Sequence, residues 1–128
     1  MRHIYGELFN KGNLSVIDEL FSEDFVDRSL YGKEAGIDYV KRSFIEFRKA
    51  FPDMHIKIED MLAEGDKVVT RFTLKGTHKG EFMGATPTGK KIVMIVIDVI
   101  RIIDGKAVER WGVEDNLGLY QQLGKKLK

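Results

Sequence analysis

The sequence predicts an α+β fold, on three observations. Apolar residues recur at helical spacing through the first half, they alternate at strand spacing through the second, and Asp104-Gly105 marks a tight hairpin near the end. At 128 residues the chain is long enough to bury one core and too short for two, so residues 1–128 read as one domain.

In the first half, Ile4 pairs with Leu8 and Tyr5 with Phe9, and Leu14, Ile17 and Phe21 follow at three and four. Asn13 stands where it can cap a helix starting at Leu14. A longer helix is expected after Gly36, with Ile37, Val40, Phe44, Phe47 and Phe51 on one stripe. It ends before Pro52, whose ring removes a donor and disfavours helix in the preceding residue. The Phe stripe reads as core.

From Met54 the period becomes two. Met54, Ile56 and Ile58 alternate with polar residues, and Glu64-Gly65-Asp66 turns the chain into a second strand over Val68 to Leu74. Ile92 to Ile103 is apolar at almost every position, the pattern of a strand covered on both faces. Asp104-Gly105 favours a two-residue turn with positive φ at both positions, after which Ala107 to Glu114 forms the next strand and Asn116 to Leu123 a short helix. The strands are expected to form an antiparallel sheet.

Composition excludes several classes of function. Lys plus Arg number 21 against 20 Asp plus Glu, which leaves no basic excess for a nucleic-acid partner, and Lys125-Lys126-Leu127-Lys128 reads as a solvated tail. No apolar run is suited to a signal peptide or a membrane span, and there is no cysteine, so a reducing, cytoplasmic setting is expected. His3, His55 and His78 lack metal-ligand spacing, and no metal or cofactor is implied. Gly84-Ala85-Thr86-Pro87-Thr88-Gly89-Lys90 fails as a phosphate loop, because Lys91 replaces the required Ser or Thr and a strand follows in place of a helix.

The final hairpin carries the candidate chemistry. An unbroken ladder from a two-residue turn pairs Ile103 with Lys106, Asp98 with Trp111 and Met94 with Asp115. Glu109, Trp111, Val113 and Asp115 are then expected to share a face with Ile100, Asp98, Val96 and Met94. Asp98 and Asp115 would lie on the order of 13 Å apart along the strand, too far to share a proton. Asp115 has two readings, a general base made more basic by apolar neighbours or an N-cap of the last helix. Asp98 also has two, a pocket carboxylate or a buried ion pair with Arg71 or Arg101. His78 is either a pocket acid or base, placed with Phe82 near the rim of the sheet, or a strand-end His bonded to backbone.

Phe51-Pro52-Asp53, Glu64-Gly65-Asp66-Lys67-Val68-Val69, Gly76-Thr77-His78-Lys79-Gly80-Glu81-Phe82, Pro87-Thr88-Gly89-Lys90 and Asp104-Gly105-Lys106 with Glu109-x-Trp111-x-x-x-Asp115 occur in that order. Together they resemble the SnoaL-like polyketide cyclase, or ester cyclase, family. The resemblance implies a cone-shaped fold of the nuclear transport factor two-like superfamily, in which a curved sheet wraps the N-terminal helices around an interior apolar pocket, often as a homodimer. It implies cofactor-independent acid–base catalysis of an aldol ring closure or related isomerisation of a hydrophobic carbonyl compound, with Asp115 as the catalytic acid/base. Trp111, Asp98, Met94, Val113, His78, Phe82 and Arg28 would line the pocket; Arg28 follows Asp27 where the family often has His. The alternative is a binding module that uses the same pocket for a hydrophobic small molecule without turning it over.

Overall fold

The computed structural model describes residues 2–30 and 33–124; the basic tail lies outside them. Helix α1 (Arg2–Tyr5) runs into a π-helical turn (Gly6–Asn10), and α2 (Ser15–Leu20) follows. The helix starts one residue later than Leu14, which takes the N-cap position without a side-chain cap; Asn13 instead precedes it, its Oδ1 accepting from the Ser15 backbone N–H at 3.2 Å. Helix α3 (Ile37–Ala50) stops two residues before Pro52. Its apolar stripe is core: Val40 is buried, Phe44 and Phe47 are half-buried, and Phe51, just past its end, is fully enclosed.

Strands β1 (Phe21–Leu30), β2 (Lys33–Ala35), β3 (His55–Glu64), β4 (Lys67–Thr77), β5 (Lys91–Ile103) and β6 (Lys106–Glu114) form one sheet in the order β2-β1-β6-β5-β4-β3, and α4 (Asn116–Gln122) closes the described chain. The four expected strands are neighbours in the expected order, β3 beside β4, β4 beside β5 and β5 beside β6, all antiparallel. The strand beginning at Phe21 departs from the helical reading, because the Leu14, Ile17, Phe21 spacing ends at Leu20. Phe21 and Phe25 are instead buried from the strand β1, which runs parallel to β6. That pairing joins residues more than eighty positions apart, so no local period announces it. The sheet is therefore mixed rather than wholly antiparallel.

One face of the sheet holds the core. Phe72 and Leu74 of β4, and Ile92, Met94, Val96 and Ile100 of β5, are buried against Tyr5, Leu8, Ile17 and Phe25. Aromatic rings interlock there: Phe9 lies 5.9 Å from Tyr5, 5.3 Å from Phe72 and 4.9 Å from Phe44, centroid to centroid. These separations are those of rings in contact.

The register of the last hairpin corrects the unbroken ladder. Asp104 and Gly105 have positive φ, as the turn requires, and Ile103 pairs with Lys106 and Ile102 with Ala107. The ladder then slips: Arg101 pairs with Glu109, leaving Val108 as an extra residue, a β-bulge. A one-residue slip exchanges the two faces of a strand. Asp98 thus faces Gly112, while Trp111 faces Val99 and Val113 faces Ile97 on the outer side.

Candidate active site

The bulge turns Arg110 inward. Gly112 leaves room for it: a Cβ there would lie 2.7 Å from Asp98 Oδ1 and would also collide with the Arg110 guanidinium. Arg110 Nη2 and Nε donate to Asp98 Oδ1 at 2.6 and 3.0 Å, and Nη1 donates to Asp27 Oδ2 at 2.8 Å and to Ser29 Oγ at 3.1 Å. Tyr5 closes the group from the helical side, its hydroxyl donating to Asp98 Oδ2 at 2.9 Å. Both oxygens of Asp98, only 3 % exposed, are therefore engaged.

Electrostatics hold the protons of Arg110 and Tyr5. Burial alone would lower the Arg110 pKa, but the negative charges of Asp98 and Asp27 outweigh it and the pKa is raised. Burial, and then the charge of Asp98, push the Tyr5 phenol far above its ordinary range, so Tyr5 stays a hydrogen-bond donor. Thr70, paired with Asp98 across β4 and β5, is fully buried, and its hydroxyl has no partner among the described residues. A buried carboxylate does have a basic partner, as one reading of Asp98 required, but the partner is Arg110. Arg71 binds Asp60 at 2.5 Å, and Arg101 lies 3.3 Å from Glu109.

The other expected site residues divide into separate regions. Met94 lies on the inner face with Asp98. Trp111 and Val113 do not share that face. The bulge sends them outward, where Lys67 Nζ sits 5.3 Å from the Trp111 ring and Val113 is 74 % exposed. Arg28 projects to the surface and binds Glu34 and Glu109, the latter at 2.7 Å. The bond from Arg28 and the charge of Arg101 hold the Glu109 pKa below its usual value, which fits a structural carboxylate.

His78 is fully buried, its ring 5.5 Å from that of Phe51, which in turn touches Phe82 at 5.3 Å. Its Nδ1 accepts from the Thr88 backbone N–H at 3.2 Å, which puts the ring proton on Nε2. Nε2 is buried without a partner among the described residues. The strand-end reading is right that backbone holds the ring, yet it leaves one donor unused.

Asp115 sits where β6 passes into α4. Its Oδ1 accepts from the Gly118 backbone N–H at 2.9 Å, so the side chain caps α4, and the residue is exposed. Its Oδ2 makes no hydrogen bond among the described residues. Two surface concavities lie elsewhere, one of about 380 Å3 edged by Leu8, Leu14, Phe44 and Met54, the other of about 780 Å3 edged by Asp18, Glu34, Tyr39 and Arg42. None of the expected site residues lines either one. No group of three or more His, Cys, Asp or Glu able to hold a metal occurs among the described residues, and none of their helices is long and apolar enough to cross a membrane.

A mixed sheet with helices on one face, its last strand followed at once by Asp115, defines a small α+β domain of the nuclear transport factor two-like kind. The chain belongs to the SnoaL-like polyketide cyclase family, whose model matches residues 1–123. Among relatives, the aklanonic acid methyl ester cyclase DnrD of Streptomyces peucetius is 27% identical over 128 residues, covering 92% of this chain and 84% of its own. The nogalonic acid methyl ester cyclase of Streptomyces nogalater is 27% identical over 122 residues, covering 91% and 89%. Among solved structures, AclR from Streptomyces galilaeus, provisionally described as a hydroxylase, superimposes with a TM-score of 0.89 at 34% identity over 98% of this chain and 82% of that one. IdmH from Streptomyces antibioticus, provisionally described as a polyketide cyclase, gives 0.84 at 33% identity over 94% and 93%.

Proposed function

We propose that this chain is a cyclase-type enzyme that closes a ring in, or isomerises, a hydrophobic carbonyl compound by acid–base chemistry alone, with Asp115 moving the proton. The observation that carries the reading is the state of Asp115 inside a chain of this family: Oδ1 is anchored on Gly118 while Oδ2 is left open. An anchored carboxylate with one open oxygen is oriented for proton transfer.

In the proposed reaction Asp115 takes a proton from a carbon activated by neighbouring carbonyls. The resulting enolate carbon bonds to a second carbonyl carbon, and the alkoxide formed takes the proton back from Asp115. Nothing is oxidised or reduced, and Asp115 ends as it began. The Arg110 cluster would hold β5 and β6 in register beside it.

A second reading, binding without turnover, is favoured by the capping role of Asp115, which gives that side chain a structural task in α4. Asp115→Asn separates the two, because Asn caps a helix about as well as Asp. With aklanonic acid methyl ester, the compound in the relatives' name, the enzyme reading expects turnover by the native chain and a loss of at least about a hundredfold in kcat for the variant. Full activity in the variant removes Asp115 from the chemistry. Binding of the ester with no turnover by the native chain supports the second reading.

A further inference from the structure

We infer that the concavity bounded by the π-helical turn and α3 is a binding site for a small carboxylate with an apolar body. It measures about 380 Å3, and Leu8, Leu14, Phe44, Ile45, Pro52 and Met54 give it an apolar lining. Leu8 and Met54 are buried whereas Ile45 is 40 % exposed, so apolar surface runs here from the core out to solvent. At about 30 Å3 per molecule of liquid water the space takes roughly a dozen non-hydrogen atoms, the lower end of what small-molecule sites hold.

Charge selects the ligand. The charged side chains of the lining are Arg48 and Lys49, and no carboxylate joins them. Of the acids beside these residues in sequence, Glu7 pairs with Lys11 at 3.4 Å, and Asp53 accepts from the Thr77 backbone N–H and hydroxyl, each at 2.7 Å. Glu46 does not line the concavity.

The chain also fixes Arg48 in place. Gly12 has a φ of +69°, and a Cβ there would lie 2.6 Å from Arg48 Nε, so the glycine is what lets the side chain lie across the loop. Arg48 Nη1 donates to the Phe9 carbonyl at 2.9 Å, which uses one of five N–H donors, and the guanidinium has no ion pair among the described residues. A place in the last turn of α3 suits a cation through the helix dipole alone, but the dipole does not require a guanidinium held beside apolar surface. A held guanidinium with spare donors is suited to a carboxylate, whose two oxygens accept in parallel while the hydrocarbon covers the apolar lining. Lys49, exposed and likewise without an ion pair among the described residues, adds a second charge of the same sign. Neither Asp115 nor any residue of the Arg110 cluster lines this site, so its success or failure leaves the proposed reaction as it stands.

The test is titration of the 15N-labelled full chain with sodium decanoate, a probe of the right size, followed by 1H–15N correlation spectra at pH 7. Saturable shifts are expected at Gly12, Ile45 and Lys49, with a Kd below about 1 mM. 1-Decanol, equal in length but uncharged, is expected to bind at least about tenfold more weakly, and decylammonium to leave these signals unmoved. Arg48→Gln is expected to weaken decanoate binding about tenfold and Lys49→Gln about threefold, while Ile45→Glu abolishes it. Arg48 also ties the π-helical turn to α3, so if Arg48→Gln does not fold, Lys49→Gln and Ile45→Glu, both at exposed positions, decide the matter. No saturable shift up to about 5 mM decanoate overturns the inference. Shifts confined to other residues, equal binding of 1-decanol, or binding undiminished in either Lys49→Gln or Ile45→Glu overturn it as well.

Discussion

Arg110 Nη2 lies 2.6 Å from Asp98 Oδ1 inside the sheet, and the same guanidinium reaches Asp27 Oδ2 at 2.8 Å, so one cation neutralises two enclosed carboxylates. Removing a single partner from such a group strands the charges that remain. Arg110→Ala is expected to destabilise the fold by about 3–5 kcal/mol, read as a lower urea midpoint with an unchanged slope. An unchanged midpoint would show that the cluster contributes no net stability.

Gly112 is required by the same cluster for space and not for backbone conformation. Gly112→Ala places a methyl group 2.7 Å from Asp98 Oδ1, a distance that real Cβ contacts do not tolerate. A loss of about 1–3 kcal/mol is expected, as for other overpacked sites. Combined with Arg110→Ala it should cost less than the sum of the two, because the guanidinium it displaces is already gone. A double-mutant cycle that adds up fully would separate Gly112 from the cluster.

Tyr5 gives the cluster a signature in alkali. Its folded pKa is raised above the unfolded value, so the stability it contributes is complete below about pH 10 and declines as the pH rises beyond it, where only the unfolded chain ionises readily. Among the four tyrosines, Tyr5 is expected to resist phenolate formation until the protein unfolds. Absorbance titration of the native chain and Tyr5→Phe checks this. The variant should lose the resistant step and also about 1–3 kcal/mol at neutral pH, the worth of a hydrogen bond to a charged group.

Asp115 separates stability from chemistry. Asp115→Ala removes the acceptor for the Gly118 N–H and is expected to cost about 1 kcal/mol, whereas Asp115→Asn should be close to neutral. Thermal midpoints of the two variants, compared in one buffer, check the difference. Equal losses would mean that the capping bond is not what the side chain contributes.

Much of the fold was legible because it is written in local periods. The stripe from Val40 to Phe51, the alternation from Met54 and the Asp104-Gly105 turn each announce their element within a few residues. Strand β1 was not legible: Phe21 continues a helical spacing, and the parallel partner that makes it a strand lies across the whole chain. In the site, the anomaly of Asp98 was visible as a carboxylate among aliphatic residues, and its need for a cation followed from burial. The identity of that cation did not follow, because the extra residue at Val108 moves Arg110 to the inside and Trp111 to the outside. A pattern offered a signal: Arg110, Gly112 and Glu114 are as evenly spaced as Glu109, Trp111 and Val113, and only the glycine allows a long side chain to fold over its neighbour.

The bulge at Val108 also governs how knowledge passes between relatives. Deleting that single residue would leave every later partner in place, whereas pairing the same residues without the bulge would exchange the inside and outside of the rest of β6, sending the Arg110 guanidinium to water and the Trp111 indole into the interior. Two sequences that align without a gap along this strand are comparable position by position only if both bulge at the same place. Where one does not, the same column of an alignment holds an interior side chain in one protein and a surface side chain in the other.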